Sequence, residues 1–301
     1  MYADAMRTVA LFALSAGLAS AQLFTLSKDQ LIRLTSNNPY ERFEDGRPKV
    51  PDSVLKRFEG LSAEEVWSVL PGKGYPNQYA GNWMVLHPEK KLIGRVVTAQ
   101  FMPLRPDVGD VIAADGKAKD LHGGQNQWVI DQLQPGDVLV VDLFGKIEGG
   151  TLVGDNLFYY VMKRTGGAGL VVEGAVRDLE GIYPMPMPAY FRGVHPTPIS
   201  NVMLTGFNIP IRIGDVTVMP GDVAFGDREG LYFVPPAFAE EVLKKADETH
   251  IHDDWTKKKF DEGKYKSSEI YGSPKDPKLQ EEYREYLKRR LEEIRKQRGE
   301  Q

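Results

Sequence analysis

GGTLVGDNLFYYVMKRTGGAGLVVEGAVRD, residues 149–178, is the stretch on which the reading of this chain turns. Gly149, Gly150 and Gly154 run into Asp155, which opens a segment that reads as a helix to Arg164. Gly166-Gly167 then ends that helix. Gly169 to Glu173 holds the short apolar run Leu170-Val171-Val172, the pattern of a buried strand. Another such run, Val138-Leu139-Val140-Val141, precedes the stretch and is entered through Pro135-Gly136-Asp137. Strand, helix and strand in succession imply an α/β architecture. In such folds ligands bind at the carboxyl ends of strands, where this stretch delivers Arg177 and Asp178. The helix start at Gly154-Asp155 offers backbone N–H groups and a partial positive charge to an anion. Arg177 and Asp178 are therefore either a loop ion pair worth under about 1 kcal/mol or parts of one pocket.

Outward from this stretch, Ile93–Ala99 is a strand candidate and Asn126–Leu133 a helix. Short strands follow near 209–213, 216–219, 223–225 and 231–234, separated by the turns Pro220-Gly221-Asp222 and Asp227-Arg228-Glu229-Gly230. Pro236 to Asp247 reads as a closing helix with proline at its start. Upstream, Ser27 caps a short helix, and Ser62 with Glu65 forms a capping-box pattern. Residues 38–50 read as an exposed connector, Pro51 to Phe58 as helical, and 71–81 as a Gly/Pro loop.

Downstream, residues 253–275 are polar, and Asp276-Pro277 begins a helix. Its apolar stripe is Leu279, Tyr283, Tyr286, Leu287, Leu291 and Ile294. That stripe fits packing on its own domain or on a neighbouring subunit. The expected division is a signal peptide over 1–21, an N-terminal helical segment over 22–84, an α/β domain over 85–248 and a charged tail with an amphipathic helix over 249–301.

Composition narrows the function classes. The chain has 301 residues, 42% hydrophobic, enough for a real core. A net charge of −4 gives no electrostatic reason to expect nucleic acid. With no cysteine, disulfides, thiolate-ligated zinc, iron–sulfur clusters and thiol catalysis are excluded. Met6-Arg7, the apolar run Thr8–Leu18 and the small-residue end Ala19-Ser20-Ala21 fit a secretory signal peptide cleaved after Ala21. The expected mature protein is secreted or periplasmic, with no membrane span.

No GxGxxG follows a strand, and neither GxxxxGK[ST] nor GxSxG occurs. His250-Ile251-His252-Asp253-Asp254 resembles a metal cluster, yet reads better as a helix C-terminus carrying exposed histidines.

The 149–178 stretch, then PMPAYFRGVHPTP and VTVMPGDVAFGDREGLYFVP, resembles the RraA-like family over about residues 52–248. That family joins class II 4-hydroxy-4-methyl-2-oxoglutarate/4-carboxy-4-hydroxy-2-oxoadipate aldolases with the RNase E regulators. The resemblance implies a swivelling β/β/α domain, here with N-terminal helices and a C-terminal helical extension, assembled as a homotrimer or hexamer with sites between subunits. It implies that Arg177 binds substrate and that Asp178 holds Mg²⁺ or Mn²⁺. The family's Gly-acid element maps best onto Gly154-Asp155, with Asn156 beside it, and Asp155 would act with a water in proton transfer.

The implied reaction is metal-dependent cleavage of a 4-hydroxy-2-oxo acid to pyruvate and a second carbonyl compound, with oxaloacetate decarboxylation as a relative through the same enolate. The alternative is a non-catalytic regulatory protein. The regulator branch tends to lose the aspartate that this chain keeps as Asp178. Arg192 matches a recurring family arginine. Asp227 and Gly230 read as turn-shaping residues. Glu229, Glu240 and Glu241 are candidates for an acid donated across a subunit boundary, and Glu180 stays open between a supporting acid and a solvated loop residue.

Overall fold

The computed structural model describes residues 25–299, so the expected signal peptide lies outside the described residues. Helices α1 (Lys28–Leu34), α2 (Asp52–Arg57) and α3 (Ala63–Trp67) come first, followed by β1 (Tyr79–Ala80), β2 (Met84–Leu86) and β3 (Leu92–Pro103). Helices α4 (Pro106–Ala118) and α5 (Gln125–Ile130) lead into the long β4 (Asp137–Thr151). Next come α6 (Asp155–Thr165), β5 (Leu170–Val176), α7 (Leu179–Ile182) and β6 (Ala189–Val194). Strands β7 (Val202–Phe207), β8 (Ile211–Ile213), β9 (Val216–Val218), β10 (Val223–Gly226) and β11 (Leu231–Val234) follow. The chain closes with α8 (Ala239–Asp261), α9 (Ser267–Ile270) and α10 (Pro277–Arg298).

The main sheet runs β1-β11-β10-β3-β4-β5-β6-β2, with β7 also on β3 and β8–β9 as a separate hairpin. Strands β3, β4, β5 and β6 are mutually parallel, and the flanking strands are antiparallel. The parallel centre is buried on both faces, so its strands read as unbroken apolar runs. On one face Val97, Leu139, Val141, Leu170 and Val172 pack with Phe158 and Val161 of α6 and Val129 of α5. On the other, Val96, Val138, Val140 and Val171 meet the β8–β9 residues Ile211, Ile213, Val216 and Val218. Each such side chain fully removed from water contributes about 1.5–3 kcal/mol. A further cluster joins α2, α3 and α8 to Val223, Phe225 and Val234.

Three local expectations change. The connector 38–50 is not uniformly exposed, because Arg47 is 2% exposed and grips Asp137, itself fully buried, at 2.7 Å. Arg95 adds bonds to the Val50 and Pro135 carbonyls and to Asp52, which staples this arm to the start of β4. Helix α4 had no signal in the apolar pattern. Its Gly109 and Gly116 look like helix breakers but are contact points: a Cβ on Gly116 would collide with the Trp128 ring.

The closing helix does not stop at Asp247 but runs to Asp261, so His250 and His252 lie inside α8 rather than at its end. The polar tail folds back on it. Trp255, Ile270 and Leu279 are buried together with Tyr283 and Tyr286 against them, and Arg298 pairs with Asp247. The apolar side of α10 therefore packs on its own chain. No described helix is long and apolar enough to cross a membrane.

Candidate active site

The site forms where β4 gives way to α6 beside the end of β5. Strand β4 departs from regular pairing after Asp142, with left-handed backbone at Phe144, Gly145 and Gly149. It then rejoins β5: Leu152 N–H donates to Ala175 O at 3.0 Å, and Arg177 N–H donates to Val153 O at 3.1 Å. These two bonds carry Gly154 directly under the Arg177-Asp178 pair. A Cβ on Gly154 would overlap Asp178 Oδ2 and lie 3.2 Å from Arg177 Nε. Gly154 has an ordinary extended φ of −105°, so glycine is needed here for space and not for backbone freedom.

Gly154 also caps α6, its carbonyl accepting the Phe158 N–H at 2.9 Å. The first-turn N–H groups have no intrahelical acceptor. Asn156 gives its own to Asp155 Oδ1 at 2.7 Å and is otherwise exposed. On the next turn of chain, a Cβ on Gly181 would meet Asp155 Cβ at 2.8 Å and its Oδ2 at 3.0 Å. Two missing side chains thus let α6 and α7 approach, and bring Asp155 and the Arg177-Asp178 pair to one place.

Arg177 and Asp178 are a loose pair, with Nη1 to Oδ2 at 3.5 Å and both side chains 37% exposed. Neither is neutralised by a tight partner, so both can engage a ligand. Asp178 sits in the left-handed region at φ 60°, ψ 44°, and its carbonyl accepts the N–H groups of Gly181 and Ile182. Such a conformation costs a non-glycine residue about 1–3 kcal/mol and collects at functional sites. It turns the chain sharply at the strand end and frees the carboxylate from the helix that follows.

A histidine that the sequence reading did not single out stands beside this group. His195 follows β6, and its N–H donates to Val176 O at 3.2 Å. Its Nδ1 lies 2.9 Å from Thr197 Oγ1, which accepts the Gly149 N–H at 2.9 Å. The sequence pattern placed no strand over 189–194, so nothing marked His195 as lying at a strand end; that position comes from β6.

Other residues fall elsewhere. Arg192 stacks on Trp83 at 3.6 Å, bonds the Gly81 and Asn82 carbonyls and pairs with Glu173, a structural bracket for the β2 edge. Asp227 accepts the Glu229 and Ala63 N–H groups, so it both shapes its turn and caps α3. Gly230 has φ +146°. Of the acids considered for a shared site, Glu240 pairs with Arg57 and Glu241 with Lys73, while the Glu229 side chain has no partner among the described residues. Glu180 is exposed. His250 pairs with Glu65, and His252 bonds Gly272 O, so two faces of α8 use them separately.

Among the described residues no group of three or more His, Asp or Glu is placed to hold a metal. With Asp178 as its one carboxylate, a cation here would have a donor set that suits Mg²⁺, which keeps several waters and takes only one or two carboxylates. The site is open on this chain. The roomier clefts lie away from it, one of about 650 Å³ beside Phe43 and Arg47 and one of about 740 Å³ beside Tyr265 and Pro277. Both are lined by charged side chains of their own, but neither includes Asp155, Arg177 or Asp178.

The RraA-like family model (Aldolase/RraA) matches residues 72–232. A Halalkalibacterium halodurans protein named "Putative 4-hydroxy-4-methyl-2-oxoglutarate aldolase" is 30% identical over 162 residues, covering 52% of this chain and 75% of that protein. Protein DlpA of Legionella pneumophila is 31% identical over 156 residues, 52% of this chain but only 23% of DlpA. Among solved structures, Streptomyces coelicolor RraAS2, described as an unusual member of the RNase ES inhibitor RraA protein family, superposes with a TM-score of 0.57 at 28% identity, covering 72% of this chain and all of that one. An uncharacterized Pseudomonas syringae protein superposes with a TM-score of 0.59 at 22% identity over 75% of this chain, a likeness of fold alone. With its family match spanning more than half its length and its site built on the strand–helix–strand unit read from the sequence, the chain belongs to the RraA-like (Aldolase/RraA) family.

Proposed function

We propose that the protein is a divalent-metal-dependent carbon–carbon lyase that cleaves a 4-hydroxy-2-oxo acid to pyruvate and a second carbonyl compound. The observation that carries this reading is the placement of Gly154 under Asp178 and Arg177, which joins an anion-accepting helix start, a guanidinium and a loosely paired, exposed carboxylate at one strand end. The Halalkalibacterium relative's name supports the same reaction class.

In this reading Arg177 pairs with the substrate carboxylate or the developing enolate oxygen. The first-turn N–H groups after Gly154 other than that of Asn156, which Asp155 Oδ1 accepts, would face the same anion. Asp155 takes the proton of the C4 hydroxyl through a water, the C3–C4 bond breaks, and its electrons pass into the C2–C3 enolate, which is protonated at C3 to give pyruvate. Asp178 would hold Mg²⁺ or Mn²⁺, whose contribution when bound is Lewis acidity toward the 2-oxo group. Oxaloacetate decarboxylation generates the same enolate by loss of CO₂ and is expected as a second activity. The homotrimer or hexamer expected from the family resemblance is part of this reading, and Phe144, Tyr159, Tyr160 and Tyr183 are large apolar side chains exposed on this chain that an interface could cover.

The test is pyruvate release from 4-hydroxy-2-oxo acids with Mg²⁺ or Mn²⁺, in the parent and in Arg177→Ala and Asp178→Asn. Equal turnover in all three sinks the assignment. A parent that binds neither metal by calorimetry favours the regulatory reading, which the likeness to RraAS2 keeps in view. Export is proposed on residues 1–21 alone; N-terminal sequencing that finds them intact on the mature protein removes it.

A further inference from the structure

We infer that His195 is a second ligand-binding residue of the Arg177–Asp178 site, held in the Nε2–H tautomer by Thr197 and Gly149. The inference rests on the oxo-acid reading above and adds a neutral donor beside the guanidinium.

Its placement follows from register. Strands β5 and β6 run parallel with Ala175 opposite Gly193 and Val176 opposite Val194. The next pair in that register is Arg177 and His195, and the bond from His195 N–H to Val176 O carries the register one residue past the strands. The two side chains therefore leave neighbouring strand ends.

The tautomer follows from the hydrogen bonds. Thr197 Oγ1 accepts the Gly149 N–H at 2.9 Å, so its own proton is free to go to His195 Nδ1, 2.9 Å away. The Thr197 backbone N–H also points at Nδ1, at 3.4 Å. The Thr197 backbone N–H makes Nδ1 an acceptor, and with the Thr197 hydroxyl donating there as well the neutral ring carries its hydrogen on Nε2. Nε2 has no partner among the described residues, and the ring is only partly buried.

The clamp is stiff. Thr151 Oγ1 donates to Thr197 O at 2.5 Å, and Ser200 N–H donates to Gly149 O at 2.9 Å. Residues 195–200 are thus tied by three hydrogen bonds to the Gly149–Thr151 run that leads to Gly154. A donor fixed in this way, next to Arg177, suits an anionic oxygen, because its orientation is set before the ligand arrives. A histidine serving only to tie the loop would need no more than Nδ1, and asparagine offers an acceptor at that position. An asparagine variant therefore keeps the clamp and loses the Nε2 donor.

The experiment titrates the Mg²⁺-loaded full-length protein with oxalate, a planar mimic of the pyruvate enolate, by calorimetry. Parent, Arg177→Ala and His195→Asn are compared, and the tautomer is read in the metal-free protein from two-bond ¹H–¹⁵N spectra of ¹⁵N-histidine. Expected results are an Nε2–H pattern for His195 in the parent and oxalate binding weakened roughly 10- to 100-fold in His195→Asn, the weight of a hydrogen bond to a charged group, with the thermal midpoint unchanged. An Nδ1–H pattern overturns the inference. So does oxalate binding in His195→Asn equal to the parent's while Arg177→Ala has lost it, a result that leaves the lyase reading standing. A parent that neither binds oxalate nor releases pyruvate overturns both.

Discussion

Gly154 lies so close to Asp178 that a single added carbon on the glycine would occupy the space of the carboxylate oxygen. The Asp178 carboxylate and the Arg177 guanidinium thus rest on bare backbone at the start of α6, which brings charged side chains and helix N–H groups within reach of one small anion.

Gly154→Ala is expected to push Asp178 and Arg177 out of place. Overpacking of this kind costs about 1–3 kcal/mol, so the protein should still fold while kcat/KM for pyruvate release drops at least about tenfold, the effect of a small misplacement of positioning groups. Steady-state assays beside a thermal melt separate the two effects. Parent-like activity shows that the contact is not needed for turnover.

Asp178→Asn should leave stability almost unchanged, because asparagine also tolerates the left-handed region at φ 60°. It should abolish Mn²⁺ binding by calorimetry, while Asp178→Ala adds strain and lowers the melting temperature as well. Full Mn²⁺ affinity in Asp178→Asn argues that the carboxylate is not the metal ligand.

Arg47→Met should destabilise the fold severely. It leaves Asp137, which has no solvent exposure, as an unpaired buried charge, a loss of about 3–5 kcal/mol. Urea denaturation gives the number, and a change under 1 kcal/mol, about the worth of a surface pair, means the buried pair contributes no more than one on the surface.

Burial pushes the Asp222 carboxyl up to about 7, with the Met219 N–H only partly offsetting it. The folded state therefore holds this proton where the unfolded chain, near the ordinary carboxyl value of about 4, has released it. The associated stability is present below about pH 4 and declines as pH rises through about 7. The difference in unfolding free energy between parent and Asp222→Asn should therefore shift against the parent between pH 4 and pH 7. A pH-independent difference rejects this.

How far the sequence carried can be traced through particular residues. Gly166-Gly167, the apolar run at 170–172 and Asp155 at a helix start are local signals, and each is where local propensity put it. Helix α4 was missed because its two glycines answer to Leu104 and Trp128, not to helix propensity. The extra turns of α8 were missed because the polar run from His250 looks like a tail until Trp255 finds Ile270 and Leu279.

By itself the sequence determined the α/β class, the strand–helix–strand unit at the centre and the arrival of Arg177 and Asp178 at a strand end. Those follow from periodicity and turn chemistry, which act over a few residues. Only the tertiary structure decided that Gly154 and Gly181 are the contact points of the site, that His195 stands next to Arg177, that Arg192 is a bracket and that Arg47 reaches Asp137. Each of those is a distance between residues far apart in the chain. It is set by strand register, by the bulges in β4 and by which side chain is small enough to let two segments meet, and none of these leaves a periodic trace in the sequence.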